Sequence, residues 1–283
     1  MHASDRGHSE TPDIVRQMQI GLIGCGNMAR ALARGWGQPV LCADPIAGRA
    51  RELAAELGGE ALASNAEVAA RADLLVLCHK PAQLAGVANE IGAGSTPIAS
   101  ILAATPLSSL RDAYPGRPVY RFIPSLPVEV RQGAVVQAAG PSLADAGAGD
   151  ADGETALDRE VRELFAQLGT LVVLDDALID VATGLMSCAP AYVALVAEAQ
   201  IDAGVRRGIP AAQGAQLVVQ TLAGTAELLR RRGYDTLAVR REVSSPGGLT
   251  ARGVDALERG GLRGAFSDAL DAVLQPSQGG APR

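Results

Sequence analysis

Met18 to Leu32 reads MQIGLIGCGNMARAL: a short apolar run, then Gly24-x-Gly26-x-x-Ala29, then the start of a helical pattern. The glycines have separate tasks. Gly24 permits a tight strand-to-helix turn, Gly26 lets the backbone approach a pyrophosphate, and Ala29 is small enough for the new helix to pack on a sheet. The helix start, with Asn27 and Met28 in its first turn, offers unpaired N–H groups and a partial positive charge to phosphates. Asp44 follows the next apolar run, Val40 to Ala43, where a ribose-binding acid belongs in a dinucleotide fold. The glycine motif alone is weak; the strand pattern before it and the helix pattern after it give it weight.

Outward from this turn, short apolar runs alternate with Ala-rich helical stretches as far as Leu174: Ile20–Ile23, Val40–Ala43, Leu74–Cys78, Ile98–Leu102, Val119–Ile123, Ala134–Ala138 and Leu171–Leu174. That alternation predicts a mainly parallel, doubly wound sheet with helices on both faces, an α/β fold of Rossmann type. Gly140 to Thr155, rich in Gly, Ala and Asp, reads as a mobile surface loop. After Asp175 no strand pattern recurs, and helical spacing runs through Ala177–Leu185, Ala191–Arg207, Ala211–Arg232, Leu237–Val243 and Thr250–Leu274. Gly208-Ile209-Pro210 stops one helix and starts the next, and Gly260-Gly261 breaks the last stretch. The expected organisation is a disordered tail (1–17), a dinucleotide-binding domain (18–175), an all-α domain (176–275) and a second disordered tail (276–283). The stretch Gln213–Leu229 is apolar around much of its circumference, which suggests burial between helices, of this domain or of another subunit.

A chain of 283 residues with 48% hydrophobic and 20% charged residues has ample material for a core. A net charge of −6 without a basic cluster argues against nucleic acid or an anionic membrane as partner, and Arg230-Arg231-Arg232 reads as a solvated helix end. The N-terminal stretch has no apolar h-region, so a cytoplasmic location is expected. Ala182 to Ala197 is short for a bilayer span and reads as a buried helix of a bundle. The cysteines Cys25, Cys42, Cys78 and Cys188 show no C-x-x-C pair, and two of the three histidines lie in the N-terminal tail. Neither disulfides, a metal site nor a His-based triad is expected.

Four motifs in register, Gly24-Cys25-Gly26-Asn27-Met28-Ala29, Lys80-Pro81, Ala189-Pro190-Ala191-Tyr192 and Ser245-Pro246-Gly247-Gly248-Leu249-Thr250, resemble the pyrroline-5-carboxylate reductases from about Ile20 to Leu274. The Ser-Pro-Gly-Gly-x-Thr element, followed by Ala256 to Gly261, is the most specific of them. The resemblance implies a Rossmann-type domain followed by a helical dimerisation domain. It also implies reduction of the cyclic imine Δ1-pyrroline-5-carboxylate to proline with NAD(P)H. On that reading Gly24, Gly26, Asn27, Met28, Asp44, Lys80 and Pro81 hold the coenzyme; Ser245, Gly247, Gly248 and Lys80 hold substrate; and Thr250 donates a hydrogen bond to the ring nitrogen as it becomes an amine. Val243 to Gly248 would be an extended segment turning into a helix, whose N–H groups take a carboxylate without any arginine. Lys80 is the only lysine in the chain. Its position separates this reading from the β-hydroxyacid dehydrogenases, a similar plan that uses a lysine on the helical half.

The chain departs from the family pattern at Ile123-Pro124-Ser125-Leu126-Pro127, where Met-Pro-Asn-Thr-Pro is common, at Met186-Ser187-Cys188-Ala189 for Ser-Gly-Ser-Gly, at Leu249 for a small residue, and at Tyr234-Asp235 for His-Pro. These changes suggest a bulkier, more apolar pocket. A different cyclic imine, or a catalytically silent dinucleotide-binding sensor or scaffold, are the alternatives they keep open. Asp44 favours NADH, whereas Arg49 and Arg51 lie close enough in sequence to receive a 2′-phosphate; NADPH is the favoured coenzyme, with NADH accepted. The expected partners are a small cyclic imine and a second copy of the chain, as a homodimer or higher homo-oligomer.

Overall fold

The apolar runs become strands: β1 Ile20–Ile23, β2 Leu41–Ala43, β3 Glu60–Ala61, β4 Leu74–Leu77, β5 Ile98–Ser100, β6 Val119–Pro124, β7 Gly133–Ala138 and β8 Gly169–Leu174. The structure, a computed structural model, describes residues 17–140 and 154–275. The expected tails lie outside the described residues except Gln17, and so does the expected loop except Gly140, Glu154 and Thr155. Thr155 caps a helix, its hydroxyl accepting the N–H of Asp158. The strands form one sheet in the order β3-β2-β1-β4-β5-β6-β7-β8. Every pairing is parallel except β6 with β7, so the last two strands run against the rest. The short edge strand β3 escapes the sequence reading because Glu60 is exposed and Ala61 half-buried, which leaves no apolar run.

Helices cover both faces as expected, and each face has its own core. On one face α1 (Asn27–Trp36), α2 (Ala47–Leu57) and α6 (Ala156–Ala166) pack on Leu22, Val76, Tyr120 and Phe122. Ala29 is 1% exposed, the close helix-to-sheet contact that its small side chain predicts. Gly35 serves a similar end, since a Cβ there would come within 2.3 Å of the Val128 carbonyl oxygen in the turn after β6. On the other face α3 (Asn65–Arg71), α4 (Leu84–Ile91) and α5 (Leu107–Ala113) pack on Ile23, Leu75, Leu77 and Ile123.

Beyond β8 the chain is helical. The expected helix Ala177–Leu185 is three pieces: a 3-10 turn Asp176–Leu178, α7 Ile179–Ala182 and a π-helical turn Thr183–Ser187. Pro190 accounts for part of the irregularity, because it has no N–H to continue a regular ladder into α8, Ala189–Val205. Then follow α9 Ala211–Arg231, α10 Thr236–Val243, α11 Leu249–Arg259 and α12 Leu262–Leu274. Gly208 (φ +95°) ends α8 before Pro210, and Gly261 (φ +78°) separates α11 from α12, as the sequence predicts.

The helical half is under-buried within one chain. No residue of α8, α11 or α12 is fully buried, and of α9 only Gly214 is. The buried helix expected at Ala182–Ala197 is therefore not buried by its own chain: Val193 is 51% and Leu195 65% exposed. In α9 Leu217 is 61% and Val219 58% exposed, so its apolar circumference is not absorbed by neighbouring helices of the same chain.

Candidate active site

Strand order fixes where a ligand can sit. Strands β1 and β4 are neighbours, but the chain leaves β1 toward β2 and leaves β4 toward β5, so their connections diverge and open a crevice at the carboxyl edge. A cleft of about 450 Å³ lies there, lined by Ile23, Gly24, Ala43, Asp44 and Pro45 from the ends of β1 and β2, Ala63 to Asn65 from the start of α3, and His79, Ala82, Gln83, Gly86, Val87 and Glu90 from the segment after β4.

Gly24 forms the turn. Its φ is +95°, and a Cβ there would sit 3.0 Å from the Cys78 carbonyl carbon and from the His79 nitrogen, so both conformation and space demand glycine. Gly26 differs, because its φ is −75° and a Cβ would meet no atom within 4 Å. Nothing inside the chain requires glycine at this position, so the missing side chain leaves room for something outside it. Gly26 is also the N-cap of α1 and supplies no side-chain cap. The first N–H groups of that helix, at Asn27 and Met28, thus have no side-chain cap from Gly26, although neither residue nor Gly26 itself is part of the cleft lining. These features fit a dinucleotide pyrophosphate.

Asp44 lines the cleft, but its carboxylate already has partners: Oδ2 accepts the Cys25 N–H at 2.8 Å and Oδ1 the Ile46 N–H at 2.8 Å. The acid expected to meet a ribose thus also braces the glycine turn, and the Cys25 amide is taken out of the set open to phosphate. Arg49 and Arg51 are exposed and do not line the cleft. Lys80 is exposed, and neither it nor Pro81 lines the cleft, although His79 and Ala82 on either side do; Pro81 opens a 3-10 turn Pro81–Gln83, held by the Lys80 N–H donating to Gln83 Oε1 at 3.0 Å.

Sequence reasoning missed His79, Ser64, Asn65, Gln83 and Glu90. His79 Nδ1 lies 2.9 Å from the Lys80 carbonyl, which only accepts, so Nδ1 carries the proton. Burial pulls the His79 pKa below its ordinary value and keeps the ring neutral near pH 7. Burial pushes the Cys78 thiol well above its ordinary pKa and makes it a poor nucleophile, and a hydrogen bond to Cys42 together with burial pushes Cys25 up as well. Among the described residues no group of His, Cys, Asp and Glu could hold a metal ion.

The second motif lies outside the cleft lining. Val243 closes α10 rather than starting an extended run, and Ser245 to Gly248 is a turn, the Gly248 N–H donating to the Ser245 carbonyl at 3.0 Å. Gly247 takes φ +70°, and a Cβ on Gly248 would fall 2.4 Å from Ser245 Oγ, so the serine hydroxyl lies over the glycine. Gly248 is the N-cap of α11 and, like Gly26, offers no side-chain cap. Ser245, Gly247 and Thr250 are exposed, and none of the residues lining the cleft comes from the helical half. Within one chain the two motifs are not brought together.

The departures from the family pattern resolve differently. Ser125 is buried, its hydroxyl accepting the Ala134 N–H of β7 at 2.9 Å, and Met186 packs on the core beneath β6. Leu249 is 80% exposed at the start of α11, and Leu126 is 46% exposed.

A Rossmann-type sheet with a glycine turn at the carboxyl edge of β1, followed by an under-buried helical half, defines a dinucleotide-binding architecture joined to a separate helical domain. Residues 19–103 match the family model described as "NADP oxidoreductase coenzyme F420-dependent", and residues 176–279 match "Pyrroline-5-carboxylate reductase dimerisation". A curated pyrroline-5-carboxylate reductase of Synechocystis sp. is 31% identical over 270 residues, covering 92% of this chain and 97% of the relative. The chain belongs to the pyrroline-5-carboxylate reductase family. Among solved structures, the 1-pyrroline-5-carboxylate reductase of Streptococcus pyogenes is similar at TM-score 0.79 and 28% identity, covering 90% of this chain and 96% of that one. The Plasmodium falciparum pyrroline carboxylate reductase, solved with NADP bound, shares the fold at TM-score 0.78 and 24% identity, with 90% and 95% covered.

Proposed function

We propose that this chain reduces Δ1-pyrroline-5-carboxylate to proline, with NADPH as favoured coenzyme and NADH accepted. What supports this is the family to which the chain belongs, together with two helix starts that each follow a glycine of positive φ, α1 at Gly26 after Gly24 and α11 at Gly248 after Gly247. One suits a pyrophosphate and the other a carboxylate. When bound, NADPH supplies the hydride.

The chain's own residues bind, orient and place charge. The N–H groups at the start of α1, with Gly24 and Gly26 shaping the turn, hold the pyrophosphate; Asp44 stands at the adenosine ribose; Lys80 and Pro81 border the coenzyme and the substrate. The first N–H groups of α11 and the Ser245 hydroxyl take the substrate carboxylate, with Gly247 and Gly248 shaping that turn. The Thr250 hydroxyl donates to the ring nitrogen. A cyclic imine is basic enough to be substantially protonated near neutral pH, so orientation and charge placement suffice and no strong acid is needed.

Because no residue of α11 lines the cleft, we infer that a second copy completes each site, as a homodimer or higher homo-oligomer. The same pairing would cover the apolar surfaces of α8 and α9. The stretch Asp176–Val205 has the length and composition to cross a bilayer, but it is interrupted by 3-10 and π-helical turns and its first turns bind the sheet, so we assign its apolar surface to the second copy. We place the domain boundary at 175/176, with 18–175 binding coenzyme and 176–275 binding substrate and partner. The acidic net charge and the absence of a basic cluster support a cytoplasmic enzyme without a nucleic-acid or membrane partner.

Oxidation of NADPH followed against a panel of five- and six-membered cyclic imino acids tests the reading. The highest kcat/KM should fall on Δ1-pyrroline-5-carboxylate. A clear preference for a six-membered ring would move the substrate, and no turnover of any cyclic imine would remove the activity.

A further inference from the structure

Arg121 is the third residue of an otherwise apolar strand, and its side chain is only 2% exposed. A buried guanidinium must find opposite charge. Its partners lie outside the sheet: the two terminal nitrogens donate to Asp176 Oδ1 at 2.8 Å and to Asp180 Oδ1 at 2.7 Å, both in the first turns of the helical half. Asp176 is gripped from another side, its Oδ2 accepting the Leu107 N–H at the start of α5 at 3.0 Å. A second tie lies further along the same strand, where the Ser187 hydroxyl donates to the Pro124 carbonyl at 3.1 Å. The π-helical turn between the ties is held from outside as well, since a Cβ on Gly184 would come 2.5 Å from Leu270 Cδ1 of α12.

Strand register places this junction relative to the coenzyme cleft. Arg121 pairs with Ser100, Ser100 with Leu77, and Leu77 with Ile23, the residue before the Gly24 turn. The helical half is therefore fixed to the row of the sheet that carries the phosphate turn, rather than hanging from the end of the edge strand β8. Two charge-assisted contacts to successive turns, Asp176 and Asp180, fix rotation as well as distance, which one contact could not do.

We propose that Arg121 is a positioning residue for hydride transfer: with Asp176 and Asp180 it sets where the helical half, and through it the second copy that completes the site, stands relative to the coenzyme cleft, and hence the geometry between nicotinamide and imine. Arg121 does not line the cleft. The proposal rests on the imine-reductase reading, and its physical basis is the steep dependence of transfer on alignment. Lysine cannot substitute, because one ammonium lacks the planar fork that reaches both acids.

The test compares the parent with Arg121→Lys and with the milder Asp180→Asn, whose side chain is 54% exposed in the parent. Hydrogen exchange of the NADPH-bound proteins is read alongside steady-state kinetics. Exchange should quicken at Leu107 and across residues 176–188 while the glycine-turn amides stay protected, and NADPH affinity should hold. The kcat should fall by roughly tenfold to a hundredfold with a smaller change in KM, and deuterium at the transferred position should give a larger isotope effect as the chemical step becomes limiting. Unchanged exchange across 176–188 in both variants would overturn the junction whatever the parent turns over. Quicker exchange with kcat and isotope effect unaltered would make Arg121 a structural residue only and overturn the positioning role. A parent inactive on every cyclic imine would count against the functional reading, and the exchange measurement would still judge the junction.

Discussion

The Asp44 carboxylate accepts the backbone N–H of Cys25 at 2.8 Å, across the mouth of the cleft from β2 to the glycine turn. Its other oxygen accepts the Ile46 N–H. A residue that selected coenzyme only through the ribose would, when replaced, move NADH and NADPH in opposite directions. A brace acts on both. Asp44→Ser should therefore weaken both coenzymes, NADH by about tenfold or more because hydrogen bonds to a charged group are worth about 1.5–3 kcal/mol. NADPH should lose less, since a repulsion against its 2′-phosphate disappears as well, and that relief should shrink at high salt. Titration by nicotinamide fluorescence reads both constants, and NADPH binding strengthened outright would refute the brace.

The two motif glycines should separate when replaced. Gly26→Val puts a side chain into space that the chain leaves open, at a φ of −75° that valine accepts, so the fold should persist while coenzyme binding disappears. Gly24→Ala instead forces a left-handed φ of +95° against the backbone of Cys78 and His79, and should lower stability as well as binding. Thermal unfolding with and without NADPH distinguishes them. A folded Gly26→Val protein that still gained stability from NADPH would contradict the placement of the pyrophosphate.

Much of this was legible because backbone chemistry writes itself into local sequence. The glycine turn, the Gly208–Pro210 break and the Gly260-Gly261 break each depend on a residue type that few others can replace, and each appears where the sequence places it. Legibility failed where structure depends on partners distant in the chain. His79, Asn65 and Glu90 meet at the cleft only through strand order, and Asn65 follows the two-residue strand β3 that carries no apolar signal. Arg121 did leave a trace, a lone charge inside the run Val119 to Pro124, and a charge within a buried strand implies an acid to meet it. Asp176 and Asp180 were hidden by the regular helical spacing that merged three short turns into one helix.

Assembly should depend on α9. Leu217 and Val219 are both more than half exposed, and a monomer would leave them to water together with Val193 and Leu195 of α8. The protein should run as a dimer or larger by light scattering at micromolar concentration. Leu217→Asp would bury an unpaired carboxylate in the contact, so it should shift the protein toward monomer and remove activity together with assembly. A fully active monomer of the parent would show that one chain suffices for the site.

The exposed start of α11 carries two hydroxyls with different expected roles. Thr250 lies in the first helical turn after the Gly248 cap and is exposed, and on the proposed reading its hydroxyl reaches the ring nitrogen of a substrate whose carboxylate meets the start of α11. That nitrogen gains electron density only as the hydride arrives, so the Thr250 donor matters most in the transition state. Thr250→Val keeps the shape, removes the donor, and should lower kcat by on the order of 10²-fold with coenzyme binding unchanged. Ser245 sits over Gly248 in the turn before α11. If that turn clamps the carboxylate as proposed, the contact is made equally in ground and transition states, and Ser245→Ala should raise KM and spare kcat. Circular dichroism and oligomer size must match the parent for either result to count. If Thr250→Val turned over imine at the parent rate across the pH range, α11 would be left as a carboxylate clamp and the proton would have to reach the nitrogen from solvent.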